Sequence, residues 1–139
     1  MIRGAVAAVT VILLSGCTAD LNGPYIITSA PATSSSASVP AAMLNPGVTQ
    51  ATISQTICQP GWTRTIRPKL PTRRGYENDH IVSLELGGSP ANPLNLRFVP
   101  LTRARRDDVL ENQLHRQVCA HQISLSEAQQ QIIAAKQGE

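Results

Sequence analysis

The chain has 139 residues, of which 42% are hydrophobic, 15% are charged and only 3% are aromatic, and its formal net charge is +3. This apolar content and low net charge exclude a chain that is disordered throughout. The length allows one domain and leaves no room for a separate cofactor-binding domain. A polytopic membrane protein is also excluded, because the sequence has a single apolar run, which lies at its N-terminus.

The N-terminal segment has the pattern of an export signal. Arg3 precedes an apolar stretch over residues 5–14, which is too short for a membrane span of roughly 20 residues. The stretch ends in Leu14, Ser15, Gly16 and Cys17, and this ending resembles the lipobox of bacterial lipoproteins. The resemblance implies a signal peptide over residues 1–16 and a lipid on Cys17. An ordinary signal peptide with an unrelated cysteine is the alternative.

Lipidation sets the expected location of the protein. More than one acyl chain on Cys17 anchors a protein stably to a membrane. The residue after the cysteine is Thr18 and not Asp, which in enteric-type bacteria favours the outer membrane. We therefore expect an exported protein whose lipid anchor on Cys17 holds it at the periplasmic face of the outer membrane.

A flexible tether is predicted after the cysteine. Residues 28–42 are mostly Ser, Thr, Ala and Pro with almost no large apolar side chain, so they cannot bury a core. We assign residues 17–43 to the lipidated cysteine and tether, and residues 44–139 to a folded domain. Within that domain Cys58 and Cys119 form an even pair, which in an oxidising compartment predicts one disulfide.

The first elements of the domain are weakly patterned. Residues 48–57 are compatible with a short helix or a strand, and a turn follows over residues 58–62. Pro68 and Pro71 keep the next stretch extended. Trp62 is expected in the core or against the disulfide.

A strand, a loop and a second strand come next. The first strand begins near Tyr76 and carries Asp79 and His80 near its start. A loop rich in Gly, Pro and Asn then leads to a short strand from Asn95 to Val99. Adjacent strand residues point to opposite faces, so Asp79 and His80 share a site only if the backbone bends there.

Two helices close the domain. The first is predicted from about Thr102 to Val118, with an apolar repeat every four residues. The second starts at Ser124, which has capping-box spacing to Glu127. Its apolar stripe is expected at Leu125, Ala128, Ile132 and Ala135. His115 and His121 are interpreted as ordinary helix and loop histidines.

The stretch from Tyr76 to Asp108 resembles the HNH nucleases of the ββα-metal superfamily. The shared features are an acidic residue before Asp79-His80, the pair Gly87-Gly88, and Asn95-Leu96 ahead of a helix. The resemblance implies an α+β fold: a small ββα-metal (HNH-like) hairpin–helix core, here with an additional C-terminal helix and one disulfide.

The resemblance also implies roles for three residues. His80 would be the general base, since its ordinary pKa suits that task. Asp79 would be a catalytic metal ligand for a divalent ion, Mg²⁺ first, with Mn²⁺, Ni²⁺ or Zn²⁺ as alternatives. Asn95 would hydrogen-bond across the loop and fix the backbone that bears His80.

The following helix departs from the family pattern. Ala104 falls where a His or Asn ligand is expected, and the usual Lys is absent. One turn further on, Asp107, Asp108 or Glu111 could replace the ligand because they share the face of residue 104. Asp108 is the preferred candidate, and a site that has lost its metal is the alternative.

Between residues 64 and 106 there are nine basic and three acidic residues, a surplus of six positive charges. Guanidinium groups match phosphate oxygens. We therefore assign nucleic-acid binding to a set of five arginines: Arg73, Arg74, Arg103, Arg105 and Arg106. A solvated basic face, or one that meets anionic lipid, is the alternative.

These patterns together predict a metal-dependent, HNH-type endonuclease that hydrolyses phosphodiester bonds of DNA or RNA outside the cytoplasm. The alternative is a catalytically inactive HNH-scaffold lipoprotein that binds nucleic acid or an envelope partner. A third hypothesis is a purely structural envelope lipoprotein, which would bind neither metal nor nucleic acid.

Overall fold

A computed structural model describes residues 38–138. The expected signal peptide, the lipidated Cys17 and most of the tether lie outside the described residues. The described part is an α+β fold, as predicted. It contains the helix α1 (Trp62–Ile66), the strands β1 (Tyr76–His80) and β2 (Leu96–Pro100), and the helices α2 (Leu101–Cys119) and α3 (Leu125–Gln137). None of the helices in this range is both long and apolar enough to cross a membrane.

The first part of the domain contains short 3-10 turns. They cover Ala41–Met43 and Ile53–Gln55, so no strand forms over residues 48–57 and the predicted short helix is limited to one 3-10 turn. Thr52 explains the interruption: its hydroxyl donates to the Gly47 carbonyl and accepts from the Thr49 amide, at 2.9 and 2.8 Å. Such local side-chain bonds compete with regular secondary structure.

The short helix α1 begins at Trp62, the last residue of the predicted turn, and sequence analysis did not predict it. Gly61 precedes it with a φ of +78°, a left-handed conformation that glycine adopts without steric penalty. The helix ends before Arg67, which is extended because Pro68 follows it. Trp62 packs against the hydrophobic core, as expected for that residue.

The two strands form an antiparallel hairpin in which Asp79 pairs with Arg97 and His80 pairs with Leu96. Asp79 and His80 therefore lie at the end of β1, and the prediction that they lie near its start is wrong. β2 starts at Leu96 and not at Asn95, because Asn95 ends a 3-10 turn that the Asn92 side chain caps. The chain turns away from the sheet directly after His80.

The core lies between α2, α3 and the first part of the domain. Ser124 caps α3 by accepting a hydrogen bond from the Glu127 amide at 3.1 Å. The predicted apolar stripe of α3 is confirmed at three of its four positions. Ala135 is exposed, and Lys136 is buried in its place. A step of four residues from Ile132 reaches residue 136 on the same helix face.

The predicted disulfide between Cys58 and Cys119 is present, with 61 residues of sequence separation. It joins the segment before α1 to the last residue of α2. The bond therefore attaches the irregular first part of the domain to the helical core.

Candidate functional site

His80 lies at the point where β1 ends and its side chain is almost buried, with 7% exposure. Its Nε2 donates a hydrogen bond to the Pro90 carbonyl at 2.9 Å. A carbonyl only accepts, so the neutral ring carries its proton on Nε2 and leaves Nδ1 as an acceptor. Burial lowers the pKa of His80, outweighing the opposite effect of the bond to Pro90. The ring is thus neutral near pH 7 and able to take a proton.

Asn95 fastens the loop that follows His80. Its Oδ1 accepts from the Val82 amide at 2.8 Å. Its Nδ2 donates to the carbonyls of Val82 and Ser89 at 3.0 and 2.9 Å. Its own carbonyl accepts from the Ile81 amide at 2.9 Å. The fully buried Asn95 side chain therefore holds both ends of the loop beside His80.

Gly88 allows this loop to close. A Cβ at this position would lie 1.8 Å from the Val82 carbonyl oxygen and 2.8 Å from Asn95 Nδ2. Both distances are far inside van der Waals contact, so a side chain cannot be accommodated without moving backbone. The Gly87-Gly88 pair thus has a steric role in placing the His80 loop.

Asp79 belongs to an ion-pair network behind the strand end. Its Oδ2 accepts from Arg97 Nε and Nη2, both at 3.2 Å. Lys136 Nζ lies 3.1 Å from Oδ1 and 3.0 Å from Oδ2. Both carboxylate oxygens therefore already contact a cation.

Lys136 comes from α3 and is only 2% exposed. Its ammonium also donates to Glu111 Oε1 at 2.5 Å and to the His80 carbonyl at 2.6 Å. Burial raises the pKa of Glu111 to about 7, although Lys136 opposes that shift. The ammonium is thus surrounded by oxygen atoms from β1 and α2.

The candidate metal ligands on α2 lie in different surroundings. Ala104 is buried at 2% exposure and offers no ligand. Asp107 accepts from Arg97 Nη2 at 2.8 Å. Asp108 is exposed and lines a cavity together with His80 and Asp79. Glu111 lines the same cavity but is bound to Lys136.

The residues expected to hold a divalent metal do not fit one at Asp79. An ion there would lie beside the Lys136 ammonium and would have to displace it, since two cations at such a distance repel strongly. Within residues 38–138, Asp79, His80 and Asp108 do not bring three ligand atoms within 4.8 Å of one another. We therefore derive no chemical step that passes through a metal on Asp79.

The cavity beside His80 is predominantly acidic. Its wall carries the carboxylates of Glu77, Glu85 and Asp108, with Arg67 as the opposing charge. Burial, followed by the charges of Asp108 and Asp79, raises the pKa of Glu77. Ser83 Oγ and Glu85 Oε2 are buried, and neither has a hydrogen-bond partner within the described range. Such orphan atoms in a cavity wall are suited to binding a polar ligand.

His80 also lines a second groove, which has a volume of about 290 Å³. Arg67 lines both cavities, while Leu70, Tyr76 and Leu101 give this groove an apolar part. The guanidinium carbon of Arg73 lies 4.1 Å from the centroid of the Tyr76 ring. This cation–π contact places a positive charge at the groove edge.

The arginines assigned to nucleic-acid binding divide into two groups. Four of them are exposed: Arg73, Arg74, Arg105 and Arg106. Arg103 instead donates to the Lys136 carbonyl at 2.8 Å and lies 3.6 Å from Asp107. Arg103 thus has a structural contact that the charge pattern did not indicate.

One group in the described residues does place three potential ligand atoms within 4.8 Å of one another: Cys58, His115 and Cys119. These residues could hold a metal ion, but the two sulfurs are joined in the disulfide. His115 Nε2 contacts the Ile57 carbonyl at 2.9 Å and Cys119 Sγ at 3.4 Å.

No family model, curated protein or solved structure matches the chain. The residue that sequence analysis missed is Lys136. A signal was present, because a lysine at a four-residue step from Ile132 interrupts the apolar stripe of α3.

Proposed function

We propose that this domain is an endonuclease that hydrolyses phosphodiester bonds of DNA or RNA, with His80 as the general base. The observation that carries the proposal is the state of His80. It is neutral, its Nε2 proton is held by Pro90, and it lies where two cavities meet. A histidine whose pKa is lowered by burial is unprotonated at pH 7 and can accept a proton from water.

In the proposed reaction, Nδ1 of His80 takes a proton from water while the water oxygen forms a bond to phosphorus. The bond from phosphorus to the leaving sugar oxygen breaks, and that oxygen takes up a proton from solvent. Arg67 lines both cavities and would contact the phosphate oxygens. Ser83 Oγ and Glu85 Oε2 would orient the attacking water, since both lack another partner in the described residues.

The groove beside Tyr76 supports a nucleic-acid substrate. Aromatic rings and guanidinium planes both stack on bases, and Tyr76 and Arg73 are already stacked on one another. The exposed Arg74, Arg105 and Arg106 supply positive charge for the backbone. These positively charged side chains would attract nucleic acid towards the cavity beside His80, whose own wall is acidic.

The resemblance to HNH nucleases implies a divalent ion, with Mg²⁺ the first choice. The surroundings of Asp79 do not support that ligand, so the proposal does not depend on it. The cleavage assay therefore includes a chelator arm and separate arms with Mg²⁺, Mn²⁺, Ni²⁺ and Zn²⁺. Cleavage that persists with the chelator would agree with Asp79 being occupied by the Lys136 ammonium and not by a metal.

The test is cleavage of plasmid DNA and of total RNA by the full chain and by His80→Ala. The matched control is His121→Ala, since His121 is exposed and lies in the loop after α2. We expect His80→Ala to lower the rate by about 10²–10⁴-fold and His121→Ala to leave it unchanged. Equal rates for the native chain and His80→Ala, or no cleavage by either while both melt cooperatively, would contradict the proposal.

The pH profile gives a second readout. Because the pKa of His80 is lowered, the rate should rise through a pKa below 6.5 and reach its plateau by about pH 7. A rate that still rises steeply above pH 7 would show that His80 is not the titrating base. Added salt should also weaken binding of the nucleic-acid substrate.

A second candidate function is a non-catalytic module that binds nucleic acid or an envelope partner. The observation in its favour is the Asp79 network, in which Lys136 contacts both carboxylate oxygens and Arg97 contacts Oδ2. Salt-sensitive binding of nucleic acid without cleavage would support this function. It would be lost on charge reversal of Arg73 and Arg74 and kept in His80→Ala.

We further propose that the chain is exported and lipid-anchored through Cys17. This rests on the sequence pattern around Cys17 alone. Metabolic labelling with a fatty acid, compared between the native chain and Cys17→Ser, tests it. Label in both chains, or in neither, would contradict the proposal.

A further inference from the structure

The ammonium of Lys136 has an unusual set of neighbours. It lies within 3.1 Å of both oxygens of Asp79, of Glu111 Oε1 and of the His80 carbonyl. All four are oxygen atoms, and the side chain has 0% exposure. Because a buried charge is tolerated only when it is paired and hydrogen-bonded, this group depends on all of these contacts.

The oxygen set around Nζ is one that a hard divalent ion would also accept. Mg²⁺ and Ca²⁺ prefer carboxylate and carbonyl oxygens, and here two carboxylates and one carbonyl converge. A lysine ammonium is a compact point charge that donates from three protons. It can therefore satisfy the same oxygens at hydrogen-bond distances.

The backbone of the same residue is also held. The Lys136 carbonyl accepts from Arg97 Nη1 at 2.6 Å and from Arg103 Nη2 at 2.8 Å. This carbonyl lies in the last turn of α3, where cations interact favourably with the helix dipole. The end of α3 is thus attached to β2 and α2, and the ammonium is held in place beside β1.

We propose that the Lys136 ammonium is the resident cation of the Asp79–Glu111 site. It takes the position that a divalent ion would otherwise occupy, so these two carboxylates bind no divalent metal in the native protein. Lys136 also holds the His80 carbonyl and is a positioning residue for that strand end. The proposal does not require nuclease activity, because it concerns which cation the carboxylates hold.

The test compares Lys136→Met with Lys69→Met in the full chain. Lys69 is exposed, so its variant controls for loss of one positive charge. Mn²⁺ binding is followed by electron paramagnetic resonance, and melting is followed with and without millimolar Mg²⁺ or Mn²⁺. No nucleic acid is present, so the outcome is separate from that of the cleavage assay.

We expect Lys136→Met to melt roughly 10 °C or more below the native chain. Divalent ions should recover part of that loss and bind at a new Mn²⁺ site. The double variant Lys136→Met/Asp79→Asn should lack that site. The native chain and Lys69→Met should show no Mn²⁺ binding that depends on Asp79. Failure of Lys136→Met to gain a Mn²⁺ site would contradict the proposal.

The native chain decides the question if Lys136→Met does not fold. With ¹⁵N-labelled lysine, the Nζ protons of Lys136 should exchange slowly and keep their resonance when Mg²⁺ is added. Displacement of that resonance by Mg²⁺, or Mn²⁺ binding that Asp79→Asn abolishes, would overturn the assignment.

Discussion

The pair of helices α2 and α3 encloses two different interiors. Near the loop that joins them the interior is apolar, with Leu114, Val118, Leu125 and Ala128 buried beside the disulfide. One to two turns further away, the same helices contribute Glu111 and Lys136 to a charged cluster with Asp79. The contact between Glu111 and Lys136 shows that α3 runs back along α2.

The two interiors are stabilised in different ways. The apolar end gains free energy with buried area, and this gain is non-directional. The charged end is stable only as a complete set, because removing one partner leaves another charge buried and unpaired. Loss of an apolar contact and loss of a charge should therefore change the free energy of unfolding with different pH dependences.

The largest expected effect is at the apolar end. Replacing Cys58 and Cys119 together by Ala removes a bond that closes a 61-residue separation. The free energy of unfolding should fall by ~4 kcal/mol in the chain-entropy model. Denaturant unfolding at pH 5 and pH 8 measures it, and a loss that differs strongly between the two pH values would contradict an apolar role.

Leu114→Ala should have the next largest effect. Leu114 is 1% exposed and belongs to the core cluster, so its truncation should lower the free energy of unfolding by about 3 kcal/mol. The exposed Val109, changed to Ala on the same helix, is the control and should change stability little. Similar losses for both variants would show that α2 does not bury Leu114 as described.

Glu111→Gln should change the pH dependence of stability at the charged end. The folded pKa of Glu111 is raised from 4.5 to about 7. Glu111 therefore contributes up to about 3 kcal/mol to the free energy of unfolding. This contribution is complete below about pH 4.5 and is lost as pH rises through about 7. Glu111→Gln should lack this loss.

His80 opposes that trend, so the two groups must be separated. Its folded pKa is lowered, so its contribution is present above about pH 6.5 and lost as pH falls through the folded value. The difference between the native chain and Glu111→Gln in free energy of unfolding, taken at each pH, isolates the contribution of Glu111. An identical pH slope in both proteins would contradict the raised pKa.

The smallest effect is expected for Asp107→Ala. Asp107 accepts from Arg97 at 2.8 Å, but Arg97 keeps its bonds to Asp79 and to the Lys136 carbonyl. Loss of this charge-assisted bond and of the weaker contact with Arg103 at 3.6 Å should lower the free energy of unfolding by about 2 kcal/mol. A loss as large as that of Leu114→Ala, measured by the same denaturant titration, would show that Asp107 supports the whole cluster.

Much of the fold follows from local pattern. The four-residue repeat in α2, the cap at Ser124 and the cysteine pair each depend on residues near in sequence or on simple counting, and the structure agrees with each. The α+β composition follows from the same signals. Over residues 48–57 the regular element stops short of its predicted length because the Thr52 hydroxyl bonds to the backbone around it. Such local competition is not visible as periodicity in the sequence.

By itself, the sequence determined the two strands, the last two helices, the cysteine pair and the candidate residues around His80. Only the tertiary structure decided their surroundings. It places Lys136 against Asp79, 57 residues away in sequence, and sets Arg97 against the same carboxylate. The physical reason is that the energy of a buried charge depends on the groups within a few ångströms of it. Those groups come from different elements of the fold.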